Sequence, residues 1–181
     1  MKRAPDTTFL WYLADPRRPR LVGTLRLVLG NRSVSLRYGA DWLAHGFPIS
    51  EDLPLVDIEH APAVRDEVVG AVEDARPDRW GERVIEVIEK PARRSLMEYL
   101  LFAGHERFGA FSVSTSDQEY APYAVNALPG LQDVDELQRL VRLVAANGPV
   151  PVAKQRLLAP GTSMGGARPK ALIDIDGAAW I

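Results

Sequence analysis

Three short apolar runs near the N-terminus, the second and third with a period of two, limit the possible fold more than any other feature of the chain. Phe9-Leu10-Trp11-Tyr12-Leu13 is closed by Asp15-Pro16. Leu21 to Leu29 alternates apolar with polar residues until Gly30-Asn31-Arg32, and Val34, Leu36 and Tyr38 alternate again. Successive side chains of a strand point to opposite faces, so the two alternating runs present one apolar face when they are extended. With turn formers between them, the three runs predict an antiparallel three-strand meander whose strands are half-buried. Arg17, Arg18 and Arg20 surround prolines in the first connection and are expected at a solvated hairpin tip rather than in a phosphate-contacting patch.

Beyond residue 40 the period changes. Asp41 to Gly46 predicts a single helical turn, and the prolines within 47–55 exclude regular structure there. After Pro77-Asp78, the residues Trp80, Val84, Ile85, Val87 and Ile88 share a helical face until Pro91. Ser95 and Glu98 are spaced as a capping box for a helix through Leu96, Tyr99, Leu100 and Ala103, which Gly104 ends. Gly109 to Ser114 returns to strand alternation, and 115–132 is expected to be irregular. Asp133 or Asp135 opens an amphipathic helix carrying Leu137, Leu140, Val141, Val144 and Ala145, which Asn147-Gly148-Pro149 breaks. Residues 171–181 predict a strand, an Asp176-Gly177 hairpin turn and a second strand.

The expected fold class is α+β: a mostly antiparallel N-terminal sheet packed by helices around 78–90, 95–103 and 133–147, then the hairpin. The loop-like composition at Gly148-Pro149-Val150-Pro151 sets a seam between a first unit, 1–147, and a second, 148–181.

Composition narrows the chemistry. Cysteine is absent, which removes disulfides, thiolate metal sites and cysteine nucleophiles together. His45, His60 and His105 are dispersed without an HxH or HxxxH pair, so no metal site is expected. A formal net charge of −2 provides no global attraction to nucleic acid or anionic lipid, and neither is expected as a direct partner. No apolar run approaches the roughly 18 residues of a membrane span, and no secretory leader pattern follows Met1, so a cytoplasmic location is expected. Asp74, Asp78 and Glu82 fit the dipole at a helix start better than a carboxylate site. Trp11, Trp42 and Trp80 are expected as packing aromatics, and His105 as a dipole contact beyond a helix end.

The segment with the most chemical content is Gly161-Thr162-Ser163-Met164-Gly165-Gly166-Ala167-Arg168-Pro169-Lys170. Adjacent glycines let successive N–H groups converge on an anion, Thr162 and Ser163 add hydroxyls, and Arg168 and Lys170 add positive charge. A glycine pair is also ordinary turn punctuation, with a solvated lysine beside it. The segment is not a Walker loop, because Ala171 stands where a Ser or Thr must follow the lysine, and it lacks the GxGxxGxV pattern of eukaryotic kinases.

Ser163 to Ala171, followed by an apolar strand and Asp176-Gly177-Ala178-Ala179-Trp180-Ile181, resembles the S-x-G-G-A-R-P-K-A loop and hairpin of HipA-like serine/threonine kinases. Glu73-Asp74-Ala75-Arg76-Pro77-Asp78-Arg79-Trp80-Gly81 resembles the E-D-x-x-P-D-x-W-G element of that family, and Gly104 to Ala110 its G-x-x-x-x-G-A stretch. The resemblance implies a two-lobed bacterial toxin kinase, using ATP and Mg, restrained by a HipB-like DNA-binding antitoxin and phosphorylating a protein such as an aminoacyl-tRNA synthetase. It implies a phosphate loop made by Thr162, Ser163, Met164, Gly165, Gly166, Ala167, Arg168 and Lys170, with Ser163 at a position autophosphorylated in some members.

Kinases place the strand lysine, the hydroxyl-orienting carboxylate and the magnesium ligands after the glycine-rich loop. Only Asp174 and Asp176 are acidic beyond Lys170, and both fit hairpin chemistry. The chain is therefore expected to contain no catalytic residue, to be inactive alone and to bind ATP weakly or not at all, as the N-terminal subdomain plus the start of a kinase-like N-lobe. The alternative is a free-standing module that docks on a separate HipA-like kinase subunit. Trp180-Ile181, inside an apolar strand, favours the first expectation.

Overall fold

β1 (Thr7–Tyr12), β2 (Arg20–Val28) and β3 (Ser33–Tyr38) form the expected antiparallel meander. The computed structural model describes residues 1–181 except 31, 105, 106, 108, 125, 126, 160–168 and 170. Two more strands join the meander at its edges: β4 (Glu59–His60) beside β3 and β5 (Phe111–Ser114) beside β1, in the order β4-β3-β2-β1-β5. Every strand pair in this sheet is antiparallel. The expected α+β class with an antiparallel N-terminal sheet is the architecture found.

Leu10, Val22, Leu25, Val34 and Leu36 are fully buried in the main core. β3 departs from the expected half-burial, because Ser33 and Ser35 are also buried. Their hydroxyls donate to the Val64 carbonyl at 3.2 Å and to Glu59 Oε1 at 2.7 Å, so segment 59–68 covers what alternation alone would leave to solvent. The register of β1 on β2 shifts between Leu10, opposite Gly23, and Trp11, opposite Leu21. Gly23 is required there, since a Cβ would lie 2.1 Å from the Arg37 carbonyl oxygen.

Arg20 differs from the expectation of a solvated tip. It is the first residue of β2, its guanidinium lies 4.7 Å from the Trp42 ring centroid, and Nη2 donates to the His45 carbonyl at 3.1 Å. Arg17 and Arg18 remain exposed at the tip.

Four α-helices follow the sequence signals closely: α1 (Ala40–His45), α2 (Arg79–Ile88), α3 (Leu96–Phe102) and α4 (Val134–Ala145). Asp78 caps α2 by accepting from the Gly81 amide at 2.8 Å. Ser95 and Glu98 form the predicted capping box at α3, where each side chain satisfies the other residue's amide. Asp133 behaves differently. Its Oδ2 accepts from the Gly130 amide at 2.9 Å and closes the short 3-10 turn Leu131–Asp133, so no side chain caps α4.

Two hydrophobic clusters result. The larger lies between the sheet and α3, with Trp42, Leu53, Val72 and Ile85. The smaller gathers Trp80 and Val84 of α2, Leu137, Leu140 and Val144 of α4, and Val150, Leu157 and Leu158. Fully burying one such aliphatic side chain stabilises by about 1.5–3 kcal/mol. Helix α2 therefore serves both clusters, with Ile85 in one and Trp80 and Val84 in the other. Trp11, Trp42 and Trp80 are all buried, as expected of packing aromatics.

Candidate functional site

The sequence places its chemistry between Leu158 and Leu172, and the structure defines what holds the two ends of that stretch. Thr162, Ser163, Met164, Gly165, Gly166, Ala167, Arg168 and Lys170 lie outside the described residues. On the N-terminal side, the 3-10 helix Val152–Leu157 delivers Leu157 and Leu158 into the smaller cluster. On the C-terminal side, Leu172 is buried and Ala171 and Ile173 pack against the same cluster. Both ends of the segment are thus fastened to one platform made by α2 and α4.

The hairpin that follows consists of β6 (Ile173–Ile175) and β7 (Ala178–Trp180), antiparallel and in register. Asp176 and Gly177 have φ of 53° and 80°, the doubly left-handed turn that a two-residue hairpin loop favours. Asp174 acts structurally. Its Oδ1 accepts from the Gly177 amide at 3.0 Å, and its own amide donates to the Pro129 carbonyl at 2.7 Å.

Beside the segment lies a cleft of about 500 Å³, lined by Arg79, Trp80, Arg83, Ala145 and Pro169. Arg79 and Arg83 are four residues apart on α2, which puts both guanidinium groups on one helix face. Arg83 Nη2 donates to Asn147 Oδ1 at 3.1 Å, beyond the end of α4. Among the described residues neither arginine has a carboxylate partner within ion-pair distance. Glu82 points elsewhere, with its Oε1 2.8 Å from Arg76 Nη2. The cleft therefore has two uncompensated positive charges beside a buried indole, a donor set suited to an anionic ligand.

The upstream motifs prove to be joints. Glu73 accepts from the Val68 amide at 3.3 Å and from Arg76 at 2.9 Å, while Arg76 also bridges to Glu82 at the start of α2. Asp78 caps that helix and Trp80 fills the smaller cluster. Asp78 is thus engaged as the cap of α2, and Glu82 is paired with Arg76.

Arg107 is the cation that sequence reasoning missed. Its guanidinium donates to the carbonyls of Ala75 at 2.7 Å, Leu100 at 2.7 Å and Gly104 at 2.9 Å, closing the ends of the 3-10 helix Gly70–Ala75 and of α3. Burial lowers its pKa to about 10. His105, expected to make such a dipole contact, lies outside the described residues.

Among the described residues, no group of three or more His, Cys, Asp or Glu is placed to hold a metal ion, and no helix is long and apolar enough to cross a membrane. Comparison with curated proteins yields no match. A family model described as the HipA N-terminal domain matches residues 18–114, from the first hairpin through β5.

Proposed function

Because the chain belongs to the HipA N-terminal domain family, we propose that it supplies the phosphate loop and a partner-binding surface of a HipA-like serine/threonine kinase. In this reading Thr162 to Lys170 wraps the ATP phosphates, with amides at Gly165 and Gly166 and charge from Arg168 and Lys170. The observation that carries it is the fastening of both ends of that segment to the α2–α4 platform, beside the cleft of Arg79 and Arg83. A phosphate loop works by holding donors in place before the ligand arrives, and a shared rigid base serves that need. ATP would bring its Mg with it, coordinated largely by phosphate oxygens and waters.

The complete kinase, on this proposal, is restrained by a HipB-like DNA-binding antitoxin and phosphorylates a protein such as an aminoacyl-tRNA synthetase. These 181 residues provide loop and docking surface, and the groups that orient the hydroxyl and position magnesium for transfer are not assigned among them. Phosphorylation of Ser163 would put a dianion among the donors meant for ATP and so oppose nucleotide binding.

The test is Mg-ATP titration of the purified chain followed by amide NMR. Weak binding should shift Ala171 to Ile173 and the side chains of Arg79 and Arg83, and Lys170→Ala should abolish the shifts. Shifts that persist unchanged in Lys170→Ala would refute the loop assignment. Incubation with radiolabelled ATP is expected to label nothing, and label on the chain would contradict the division of labour.

A further inference from the structure

One stretch of surface takes no part in the platform or the cleft. Between Glu51 and Glu67, only Leu53 and His60 are buried, and most of the remaining side chains are exposed. The exposed residues include Val56 at 44%, Ile58 at 55% and Val64 at 58%, an unusual density of large apolar groups in water. Scattered singly these would need no explanation, but a grouping on one segment marks a contact surface.

The same segment is acidic. Glu51, Asp52, Asp57, Glu59, Asp66 and Glu67 contribute six carboxylates. Arg65 lies within the segment, and Arg32, in the turn before β3, and Arg37, on β3, reach it through Asp66 at 2.6 Å and Asp57 at 3.0 Å. Three negative charges remain uncompensated, more than the net −2 of the whole chain. This edge therefore repels nucleic acid and anionic lipid and attracts a basic chain.

Its backbone geometry suits an elongated partner. The segment runs beside the whole of β3, with Glu59 opposite Arg37 at one end and the Val64 carbonyl bonded to Ser33 at the other. Six residues of strand span roughly 20 Å. β4, only two residues long, is the outermost strand on this side of the sheet.

We infer that segment 51–67 is a docking surface for a basic, partly apolar extended segment of another protein. Its acidic groups select the partner's charge, and Val56, Ile58 and Val64 bury the partner's apolar side chains. The inference is independent of nucleotide binding by the glycine segment.

Two synthetic peptides probe it: Lys-Val-Arg-Val-Lys-Val and Glu-Val-Asp-Val-Glu-Val, each titrated into the labelled chain and followed by amide NMR. The basic peptide should shift residues 51–67 and the acidic one should not. Glu51→Lys with Glu67→Lys should weaken the basic peptide by about tenfold at physiological salt, and Val56→Ser with Ile58→Ser should weaken it similarly. Both double variants change exposed side chains, so unaltered spectra elsewhere will report an intact fold. Shifts spread over other acidic positions, or loss with the charge variant alone, would reduce the effect to nonspecific ion pairing and overturn the inference. Self-association of the chain, dispersed by Arg17→Glu with Arg18→Glu, would assign the surface to a second copy instead and equally overturn it.

Discussion

Nη2 of Arg107 donates to the carbonyl of Leu100 at 2.7 Å, so a cation from the following loop closes the C-terminal end of α3. The same guanidinium reaches Ala75 and Gly104, which ties the helix end to the 3-10 turn that precedes α2. Among the described residues its hydrogen-bond partners are all backbone oxygens. The charge is held by the negative ends of two helical segments rather than by a carboxylate.

Replacing Arg107 by Met removes these bonds and leaves partly buried carbonyls without a donor. Such losses cost about 1–3 kcal/mol per orphaned group, and a total destabilisation of about 3 kcal/mol is expected in urea denaturation. Arg107→Lys should recover only part, because an ammonium lacks the planar fork that meets three acceptors. A loss below about 0.5 kcal/mol would indicate that the carbonyls find other donors.

Gly23→Ala places a methyl group against backbone rather than against a yielding side chain. The Arg37 carbonyl oxygen would be 2.1 Å away, so β2 and β3 must separate at the end of their pairing where Gly23 lies opposite Tyr38. Destabilisation of about 2 kcal/mol or more is expected. Hydrogen exchange should accelerate most at Leu36 and Tyr38, and uniform protection equal to that of the parent chain would count against the strain argument.

The α3 capping box gives a graded pair. Ser95→Ala should cost about 1 kcal/mol, the ordinary worth of an N-cap. Glu98 is fully buried, accepts from the amides of Arg93 and Ser95, and faces Arg93 Nε at 3.7 Å. Glu98→Ala also deprives Arg93 of a buried counter-charge and should cost about 3 kcal/mol. Thermal melts of the two variants should preserve that order, and the reverse order would mean that the carboxylate is a burden rather than a support.

Acid should weaken the fold through three exposed carboxylates. Hydrogen bonds from Arg93, Arg32 and Arg139 hold Asp6, Asp66 and Glu136 below the usual carboxylate range. A carboxylate with a depressed folded-state pKa stabilises above its unfolded value, near 4, and loses that contribution as pH falls through the folded value. Melting temperature should therefore be level near neutrality and fall below about pH 4. Arg32→Gln with Arg139→Gln should make that fall shallower, and an unchanged acid limb would exclude these pairs as its cause.

At high pH the sign reverses. Burial raises the pKa of Tyr38, Tyr99, Tyr120 and Tyr123. A tyrosine raised in the folded state lends stability below its unfolded pKa of about 10 and loses it as pH rises further. Phenolate absorbance of these four residues should therefore appear together with unfolding. Their smooth ionisation in a chain that still gives a native circular dichroism spectrum would contradict the burial.

Local chemistry was legible wherever a short pattern sufficed. A closed apolar run and two alternating ones marked the meander, Ser95 with Glu98 marked the start of α3, and Asp176-Gly177 marked the final turn. Pairing between distant segments was not. Nothing in Phe111 to Ser114 states that it lies beside β1, and Glu59-His60 is too short to signal a strand. Arg20 left the hairpin tip because Trp42, twenty-two residues later, offers its ring face. Asp133 was drawn to the Gly130 amide by a turn that precedes the helix. Arg79 and Arg83 carried a visible spacing, yet their cleft needs the end of α4, which only tertiary packing brings near.

Helix α2 is keyed on two sides, with Ile85 in the sheet core and Trp80 and Val84 in the platform. One residue inserted within it would rotate all that follows by about 100°, misaligning both cores at once. Length variation among relatives should accordingly collect in the connections at 47–58 and 115–124 and spare the span from Asp78 to Ile88. The helix acts as a gauge that forbids small slippage, so the sheet and the seat of the glycine segment must diverge in step.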